Sequence, residues 1–299
     1  MCGVLGSVLT AMVTPIDADG VVDLDGFRRL CRYLVDNGSD GLVVTGTTGE
    51  APTLSDDERF ALYAAAVDEV GERATVIAGT GTYSTAHSVY LTERAHELGV
   101  DGFLVVTPYY NKPPQRGIVA HFEAVAAATD RPVIAYNIPT RAVVNIEPET
   151  ISRLAEIPNV KAVKQAKQAE DELAQARHIV ECGLDLYAGD DDLIVPFLEV
   201  GGVGGVCVHT HVVGPQVKEL VTRFLDGDVD GASALDAEIS PSIEILRVQA
   251  NPIAIKAALN LLGLPAGHVR LPLVDADEAE VAAVRGCLER LGLLTRVPA

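Results

Sequence analysis

Apolar stretches rich in β-branched residues alternate along this chain with amphipathic stretches. Eight of the apolar stretches are nearly continuous, which is typical of parallel strands covered on both faces. They begin at Ser7, Gly41, Thr75, Gly102, Pro132, Val160, Asp185 and Val203. These starting points recur at intervals of 18 to 34 residues, which predicts a repeated strand–helix unit.

Helix signals occupy the segments between the predicted strands. Ser55 and Glu58 have the spacing of a capping box, and they open an amphipathic segment that stops at Gly71. Glycines also follow the helices predicted over 25–37 and 85–98. Further helices are predicted over 115–129, 148–156, 171–182 and 215–225.

Eight strands with intervening helices favour a TIM (β/α)8 barrel over an open, doubly wound sheet, which also uses βαβ units. Unusual residues that follow strand ends strengthen this choice, because a barrel builds its active site there. Helical segments over 230–250, 252–262 and 276–293 come after the last strand. We therefore expect a barrel domain over residues 1–225 and a C-terminal helical extension over 226–299.

The charge of the chain excludes some partners. Its 299 residues include 23 basic and 42 acidic side chains, a formal net charge of −19. Nucleic acids and acidic membranes require a basic face, so neither is expected as a partner. An anionic substrate would need local cations to overcome the unfavourable overall field.

Cysteine usage and the N-terminal segment predict a cytoplasmic protein. The five cysteines are odd in number and show no CxxC spacing, as suits a reducing compartment. The apolar run over residues 4–13 lacks a basic flank and is too short to span a bilayer. We interpret it as a first buried strand and not as a signal peptide.

Lys164 is the strongest candidate for a catalytic residue. It lies within a predicted strand, where Ala162, Lys164 and Ala166 share one face. Desolvation would lower the pKa of such a lysine, and the neutral amine could then form a Schiff base with a carbonyl substrate. The alternative is a lysine whose ammonium reaches out of the strand end.

Other candidates also follow strands. Thr47 and Thr48 lie in the run GTTGE, whose hydroxyls and backbone N–H groups could bind a carboxylate, although an ordinary turn has the same pattern. Tyr136 and Tyr110 could relay protons, or could be structural. Arg141 could hold a carboxylate in a bidentate ion pair, or could simply be exposed.

A metal site is a further alternative. His209 and His211 are two residues apart on the predicted last strand, so both rings would face one way, and Asp190, Asp191 and Asp192 end the strand before it. Such a cluster could hold a divalent cation, but nothing in the spacing fixes a ligand set, and we expect no metal. The run 201–205 does not open a helix, so close backbone packing explains its glycines better than phosphate binding.

These residues together resemble the pyruvate-dependent class I aldolase family that contains dihydrodipicolinate synthase and N-acetylneuraminate lyase. The closer resemblance is to its dihydrodipicolinate synthase branch. The matching stretches run in order along almost the whole chain: GTTGE (46–50), VVTPYYNKPPQRG (105–117), AYNIPTR (135–141), VKQAK (163–167), AGDD (188–191), NPIAIK (251–256) and RLPL (270–273).

The resemblance implies a lyase that condenses pyruvate with L-aspartate 4-semialdehyde in diaminopimelate and lysine biosynthesis, without a metal or organic cofactor. It makes Lys164 the Schiff-base lysine and Tyr136 the phenol beside it, with Thr47 and Tyr110 as proton-relay partners. Tyr110 would reach in from a neighbouring subunit, which implies a homotetramer built as a dimer of dimers. The substrate-binding positions implied are Thr47 and Thr48 for the pyruvate carboxylate, Arg141 for the aldehyde's carboxylate, and the carbonyls of Gly189 and Val206.

Some positions depart from the family pattern. Gln165 stands where an acidic residue is usual, but strand parity turns its side chain away from the pocket. His209 replaces a smaller residue and could alter the aldehyde side of the pocket. His87 stands where lysine-inhibited members have a glutamate, and Pro52 and Tyr83 fill polar positions near it, so we expect weak or no inhibition by lysine.

Three rival functions remain open from the sequence. One is a related lyase that joins pyruvate to another aldehyde, such as a sugar-acid or neuraminate lyase, although the arginine after YNIPT argues against the neuraminate type. Another is a barrel without catalytic activity that serves in binding or assembly. The third is a metal-dependent aldolase.

Overall fold

The computed structural model describes residues 3–166 and 172–295. Eight parallel strands within them form a closed barrel in sequence order, which confirms the predicted TIM barrel. The strands are β1 (Val8–Ala11), β2 (Gly41–Val44), β3 (Thr75–Gly79), β4 (Gly102–Val106), β5 (Val133–Asn137), β6 (Val160–Gln165), β7 (Asp185–Ala188) and β8 (Gly204–Cys207). Lys167 and Asp171, which belong to a predicted motif and a predicted helix, lie outside the described residues.

Helices follow the strands and continue into the extension. Those of the barrel are α1 (Leu24–Asp36), α2 (Asp56–Val70), α3 (Thr85–Glu97), α4 (Gln115–Ala126), α5 (Pro139–Ala142), α6 (Pro148–Ala155), α7 (Glu172–Glu181), α8 (Ile194–Glu199) and α9 (Thr210–Leu225). Those beyond it are α10 (Val229–Ile239), α11 (Pro241–Val248), α12 (Ile253–Leu261) and α13 (Glu278–Arg290). The proposed domain boundary after residue 225 coincides with the end of α9.

Capping side chains mark the starts of α1 and α2, close to where the sequence predicts them. The Ser55 side chain accepts a hydrogen bond from the Glu58 N–H, and the Glu58 carboxylate accepts one from the Ser55 N–H, so the capping box of α2 is complete. The α1 helix begins after Asp23, whose carboxylate accepts from the Gly26 N–H at 2.8 Å. Each cap satisfies N–H groups that a helix start leaves without partners.

The helix predictions need three corrections. The segment over 230–250 forms two helices, because Pro241 lacks an N–H and fits the first turn of a new helix better than the interior of a long one. The short helices α5 and α8 are absent from the prediction, since four and six residues carry too little periodicity. The α9 helix begins at Thr210, with a kink at Val213, earlier than the predicted start at Pro215.

The glycine run near residue 204 closes the barrel. Gly204 has φ of 148°, and a Cβ there would lie 1.9 Å from the carbonyl oxygen of Ser7. Only glycine allows this approach of β8 to the start of β1. The interpretation of the run as close backbone packing is therefore confirmed.

Strand register determines which side chains face the barrel interior. Lys164 pairs with Tyr136 on β5 and with Tyr187 on β7, so these three side chains share the inner face. Gln165 pairs with Asn137 on the opposite face, where the two side chains are hydrogen-bonded at 3.0 Å. The expected orientation of Gln165 away from the pocket is confirmed.

No helix in the described part of the chain is long and apolar enough to cross a membrane.

Candidate active site

The amine of Lys164 is held in the barrel interior. Lys164 is 4% exposed, and its Nζ lies 4.3 Å from the centroid of the Tyr136 ring. Burial lowers the pKa of Lys164 to about 8, against an opposing influence of the Asp191 and Asp190 carboxylates. An amine with this pKa is substantially neutral in mildly alkaline solution, as a nucleophile requires.

Tyr136 connects the lysine to the turn after β2. Burial raises the pKa of the Tyr136 phenol well above its ordinary value, and the Asp190 carboxylate acts in the same direction. The phenol is hydrogen-bonded to the side chain of Thr47. It therefore stays protonated and can pass a proton between Thr47 and a group bound beside Lys164.

A cavity of about 210 Å³ opens at the C-terminal ends of β2 to β5, where a barrel places its active site. Three predicted site residues, Thr47, Tyr136 and Arg141, line it. Lys164 is not in the lining, but its amine lies against the ring of Tyr136, and that ring also borders the cavity. The volume suits a substrate smaller than the drug-sized ligands of typical pockets.

A second cation in the cavity wall was not predicted. Arg59 on α2 is 5% exposed, lines the cavity and donates a hydrogen bond to the carbonyl oxygen of Ala51. Arg59 and Arg141 together place two guanidinium groups beside one cavity, although the protein as a whole has a net charge of −19. The sequence holds no signal for Arg59, because it lies inside an ordinary helix and only the fold brings that helix to the barrel mouth.

The remaining predicted site residues lie outside this lining. Tyr110 is 88% exposed, with φ of 72°, and therefore projects from the loop after β4. Gly189 follows β7, and a Cβ there would lie 2.7 Å from the Ala166 nitrogen, so glycine is required. Val206 is fully buried on β8. Thr48 is buried beside Thr47 and accepts a hydrogen bond from Asn251 Nδ2 at 2.9 Å.

The C-terminal extension holds the GTTGE turn through a buried ion pair. Lys256 Nζ on α12 lies 2.6 Å from Glu50 Oε1, and the two side chains are 3% and 1% exposed. The other Glu50 oxygen accepts a hydrogen bond from the Arg270 N–H at 2.9 Å. Glu50 has φ of 56°, in the left-handed region, so these contacts stabilise a turn that its own backbone disfavours.

Arg270 ties the extension to the first turn of α2. Its guanidinium donates to both carboxylate oxygens of Glu58, at 3.0 and 2.5 Å, and to the carbonyl oxygens of Gly20 and Thr53. This hydrogen bonding is the main reason why the pKa of Glu58 falls to about 2. The motifs NPIAIK and RLPL thus act at the active-site turn, a role that the sequence did not reveal.

Known proteins resemble this chain over almost its whole length. The family model described as the Dihydrodipicolinate synthetase family matches residues 4–291. The chain belongs to this family. The 4-hydroxy-tetrahydrodipicolinate synthase of Moorella thermoacetica is 51% identical, over 97% of this chain and 99% of the relative.

Solved structures agree with the family assignment. DHDPS from Cyanidioschyzon merolae with lysine bound has a TM-score of 0.94 at 41% identity and covers 98% of this chain and 100% of that one. The chloride-inhibited dihydrodipicolinate synthase from Acinetobacter baumannii, complexed with pyruvate, has a TM-score of 0.92 at 33% identity and covers 96% and 99%. Family, fold and the class of a carbon–carbon lyase are therefore confirmed.

The expectation that both histidines lie on the last strand is wrong. The β8 strand ends at Cys207, so His209 and His211 do not lie on a strand and their rings do not face one way. His211 Nε2 accepts from the Val13 N–H at 3.2 Å, and Nδ1 lies 2.7 Å from the Val208 carbonyl oxygen. With both its nitrogens occupied, His211 has no lone pair for the metal cluster that the sequence left as an alternative. His209 is 1% exposed and absent from the cavity lining; its effect on the aldehyde side of the pocket stays a prediction.

His87 and Tyr83, which stand where lysine-inhibited relatives bind the effector, contact other side chains in this structure. His87 Nε2 lies 2.9 Å from an Asp56 carboxylate oxygen, while Tyr83 is 58% exposed and contacts the Tyr109 ring edge-on. An imidazole supplies no negative charge to pair with an ammonium group, as a glutamate carboxylate would. Weak or absent inhibition by lysine stays a prediction within the family.

We expect Lys256→Met to lower the free energy of unfolding by about 3–5 kcal/mol, because it leaves the Glu50 carboxylate buried without its cation. Urea denaturation measures the loss. The matched control is Lys218→Met, which removes a half-exposed pair with Asp40 and should cost no more than about 1 kcal/mol. Equal losses in the two variants would contradict a structural role for the buried pair.

The pKa of Lys164 predicts the pH dependence of pyruvate use. Below pH about 8 the amine is mostly protonated, so kcat/KM for pyruvate should rise about tenfold per pH unit and then level off. Initial rates across this range, with the Lys164→Ala variant as the blank, measure the profile. A plateau reached only near pH 10.5, the ordinary lysine pKa, would show that burial does not act on Lys164.

Proposed function

We propose that this chain is a lyase that condenses pyruvate with L-aspartate 4-semialdehyde through a Schiff base on Lys164. The observation that carries the proposal is the Lys164 amine, buried against Tyr136, with Thr47 hydrogen-bonded to that phenol. The relatives' shared name, 4-hydroxy-tetrahydrodipicolinate synthase, agrees with this activity. Its product belongs to diaminopimelate and lysine biosynthesis.

The reaction begins when neutral Lys164 Nζ attacks the ketone carbon of pyruvate. Water leaves, and a protonated imine forms that withdraws electrons from the methyl carbon. A proton lost from that methyl group produces an enamine, whose carbon attacks the aldehyde of the second substrate. Tyr136 and Thr47 carry protons to and from these atoms, a contribution of about 10²–10⁴ in rate.

Ring closure completes the reaction and frees the enzyme. The amino group of the bound semialdehyde attacks the imine carbon and displaces Lys164 as its neutral amine. The product is 4-hydroxy-tetrahydrodipicolinate. The steps form one carbon–carbon bond, exchange the lysine C–N bond for the ring C–N bond and release one water molecule, so they require no oxidant or reductant.

Positive charge at the cavity supports an anionic second substrate. Arg141 and Arg59 both line the cavity, and we assign the carboxylate of the semialdehyde to Arg141, with the pyruvate carboxylate at Thr47 and Thr48. The carbonyl groups of Gly189 and Val206 would border the pyruvate side. An arginine at position 141 fits the second substrate of a sugar-acid or neuraminate lyase less well.

The assignment of Arg141 predicts a selective defect. Arg141→Leu should lower kcat/KM for aspartate semialdehyde about 10–150-fold, the value of a charged hydrogen bond, while imine formation with pyruvate stays near the wild-type rate. Arg141 is exposed, so folding should be unaffected. A larger wild-type kcat/KM for N-acetylmannosamine than for aspartate semialdehyde would instead support the neuraminate type.

We also propose that the active site is completed across a subunit interface, in a homotetramer built as a dimer of dimers. Tyr110 projects into solvent in the isolated chain although it matches a proton-relay residue of the family. An exposed tyrosine beside an active-site mouth is well placed to enter a neighbouring subunit. The buried free cysteines Cys31, Cys207 and Cys287 suit a cytoplasmic enzyme.

A subunit-mixing experiment tests the shared site. Lys164→Ala and Tyr110→Phe should each be nearly inactive alone, but co-expression of the two should restore about a quarter of wild-type activity if the chains associate at random. In half of the mixed sites an intact Lys164 then meets an intact Tyr110 from the neighbour. No restoration in isolated mixed oligomers would show that Tyr110 acts within its own subunit.

A further inference from the structure

A second cluster of reactive side chains lies near the end of β8. Asp191, Cys207 and His209 are 6%, 1% and 1% exposed, and one ligand atom from each lies within 4.8 Å of the other two. Asp191 comes from the turn after β7, Cys207 from the last position of β8, and His209 from the junction with α9. Carboxylate, thiolate and imidazole are the protein ligands of zinc.

The cluster lies outside the cavity lining but close to the catalytic lysine, because both the Asp191 carboxylate and the Cys207 thiol act on the pKa of Lys164. Tyr187, on the same face as Lys164, pairs with Gly204, so alternation along β8 turns Cys207 to the outer face. A Cβ at Gly205 would lie 2.6 Å from Cys207 Sγ and 3.2 Å from Ile194 on α8. The Cys207 thiol therefore lies between the barrel wall and the helix layer.

The hydrogen bonds of His209 leave one of its nitrogens facing a carboxylate. The Ser242 hydroxyl donates to the Ile239 carbonyl oxygen at 2.6 Å, so its oxygen accepts the bond that it shares with His209 Nδ1 at 3.1 Å. A neutral ring then carries its proton on Nδ1 and a lone pair on Nε2. That Nε2 is buried without a hydrogen-bond partner in the described residues, 3.4 Å from Asp191 Oδ1.

A cation between His209 Nε2 and Asp191 Oδ1 would remove the repulsion between the nitrogen lone pair and the carboxylate oxygen. Tetrahedral zinc, with bonds of about 2.0–2.2 Å to nitrogen and oxygen, separates two such ligands by roughly 3.3–3.5 Å, and the observed separation of Nε2 and Oδ1 is 3.4 Å. Histidines that bind metals usually donate their other N–H to an orienting acceptor, which Ser242 supplies. The N–H groups of Val208 and His209, at 2.7 and 2.9 Å, both donate to this same Oδ1 of Asp191 and fix its position opposite His209 Nε2.

We propose that Asp191, Cys207 and His209 form a binding site for zinc or a similar thiophilic divalent cation. Binding exchanges the thiol proton of Cys207 for the metal and releases that proton to solvent, with no change of oxidation state. The bound ion joins the turn after β7 to the end of β8, and through Ser242 of α11 it joins both to the extension. The proposal does not depend on the substrate of the barrel.

Cobalt titration of the metal-free, full-length protein tests the site. One equivalent of Co²⁺, bound by the three side chains with a water molecule as the fourth ligand, should produce the visible bands of a four-coordinate ion and a near-ultraviolet thiolate-to-cobalt charge-transfer band. Zinc should abolish both bands by displacement, and it should raise the midpoint of thermal unfolding. Ser242→Ala, which removes the acceptor for Nδ1 together with the hydrogen bond to the Ile239 carbonyl but leaves all three ligands, should weaken binding about 10–100-fold.

Variants assign the ligands. Cys207→Ser should lose the charge-transfer band and His209→Asn should lose tight binding, while Cys31→Ser, which removes another buried thiol on α1, should keep both. Persistence of the charge-transfer band in Cys207→Ser would overturn the proposal. A wild-type protein without four-coordinate bands would overturn it too, whether or not the variants fold, and would leave a proton as the ion shared by His209 and Asp191.

Discussion

The desolvation of one amine is the constraint on which this active site depends. In water a lysine is an ammonium ion, and an ammonium ion has no lone pair to attack a ketone. The barrel interior removes that solvation and brings the pKa of Lys164 to about 8. The aromatic face of Tyr136 at 4.3 Å still interacts favourably with the amine when it is charged, so the site tolerates both protonation states that the proposed Schiff-base cycle requires.

A barrel mouth built from loops also needs support from outside the barrel. The turn that carries Thr47 contains a left-handed glutamate, Glu50, and it is stabilised by Lys256 and Arg270 from chain segments more than 200 residues away. A buried ion pair of this kind contributes little net stability, but it is costly to break. We infer that it specifies one conformation of the turn, as the proposed relay from Thr47 to Tyr136 requires.

Much of the architecture could be predicted because parallel barrel strands are apolar on both faces and recur with their helices. Lys164 could be found because a lysine inside such a strand is conspicuous. Arg59 and the Glu50–Lys256 pair could not be found, since they depend on contacts between distant segments that leave no local pattern. His209 and His211 were placed on a strand because periodicity does not mark where a strand ends, and past that end side-chain direction no longer alternates.

The central claim is that Lys164 forms the covalent bond to pyruvate. Mass spectrometry after incubation with pyruvate and borohydride tests it directly, with Lys164→Ala as the control. We expect one reduced pyruvate adduct per chain, located on Lys164 in the wild-type protein and absent from the variant. An unmodified wild-type protein, or an equal adduct in Lys164→Ala, would contradict the Schiff-base mechanism.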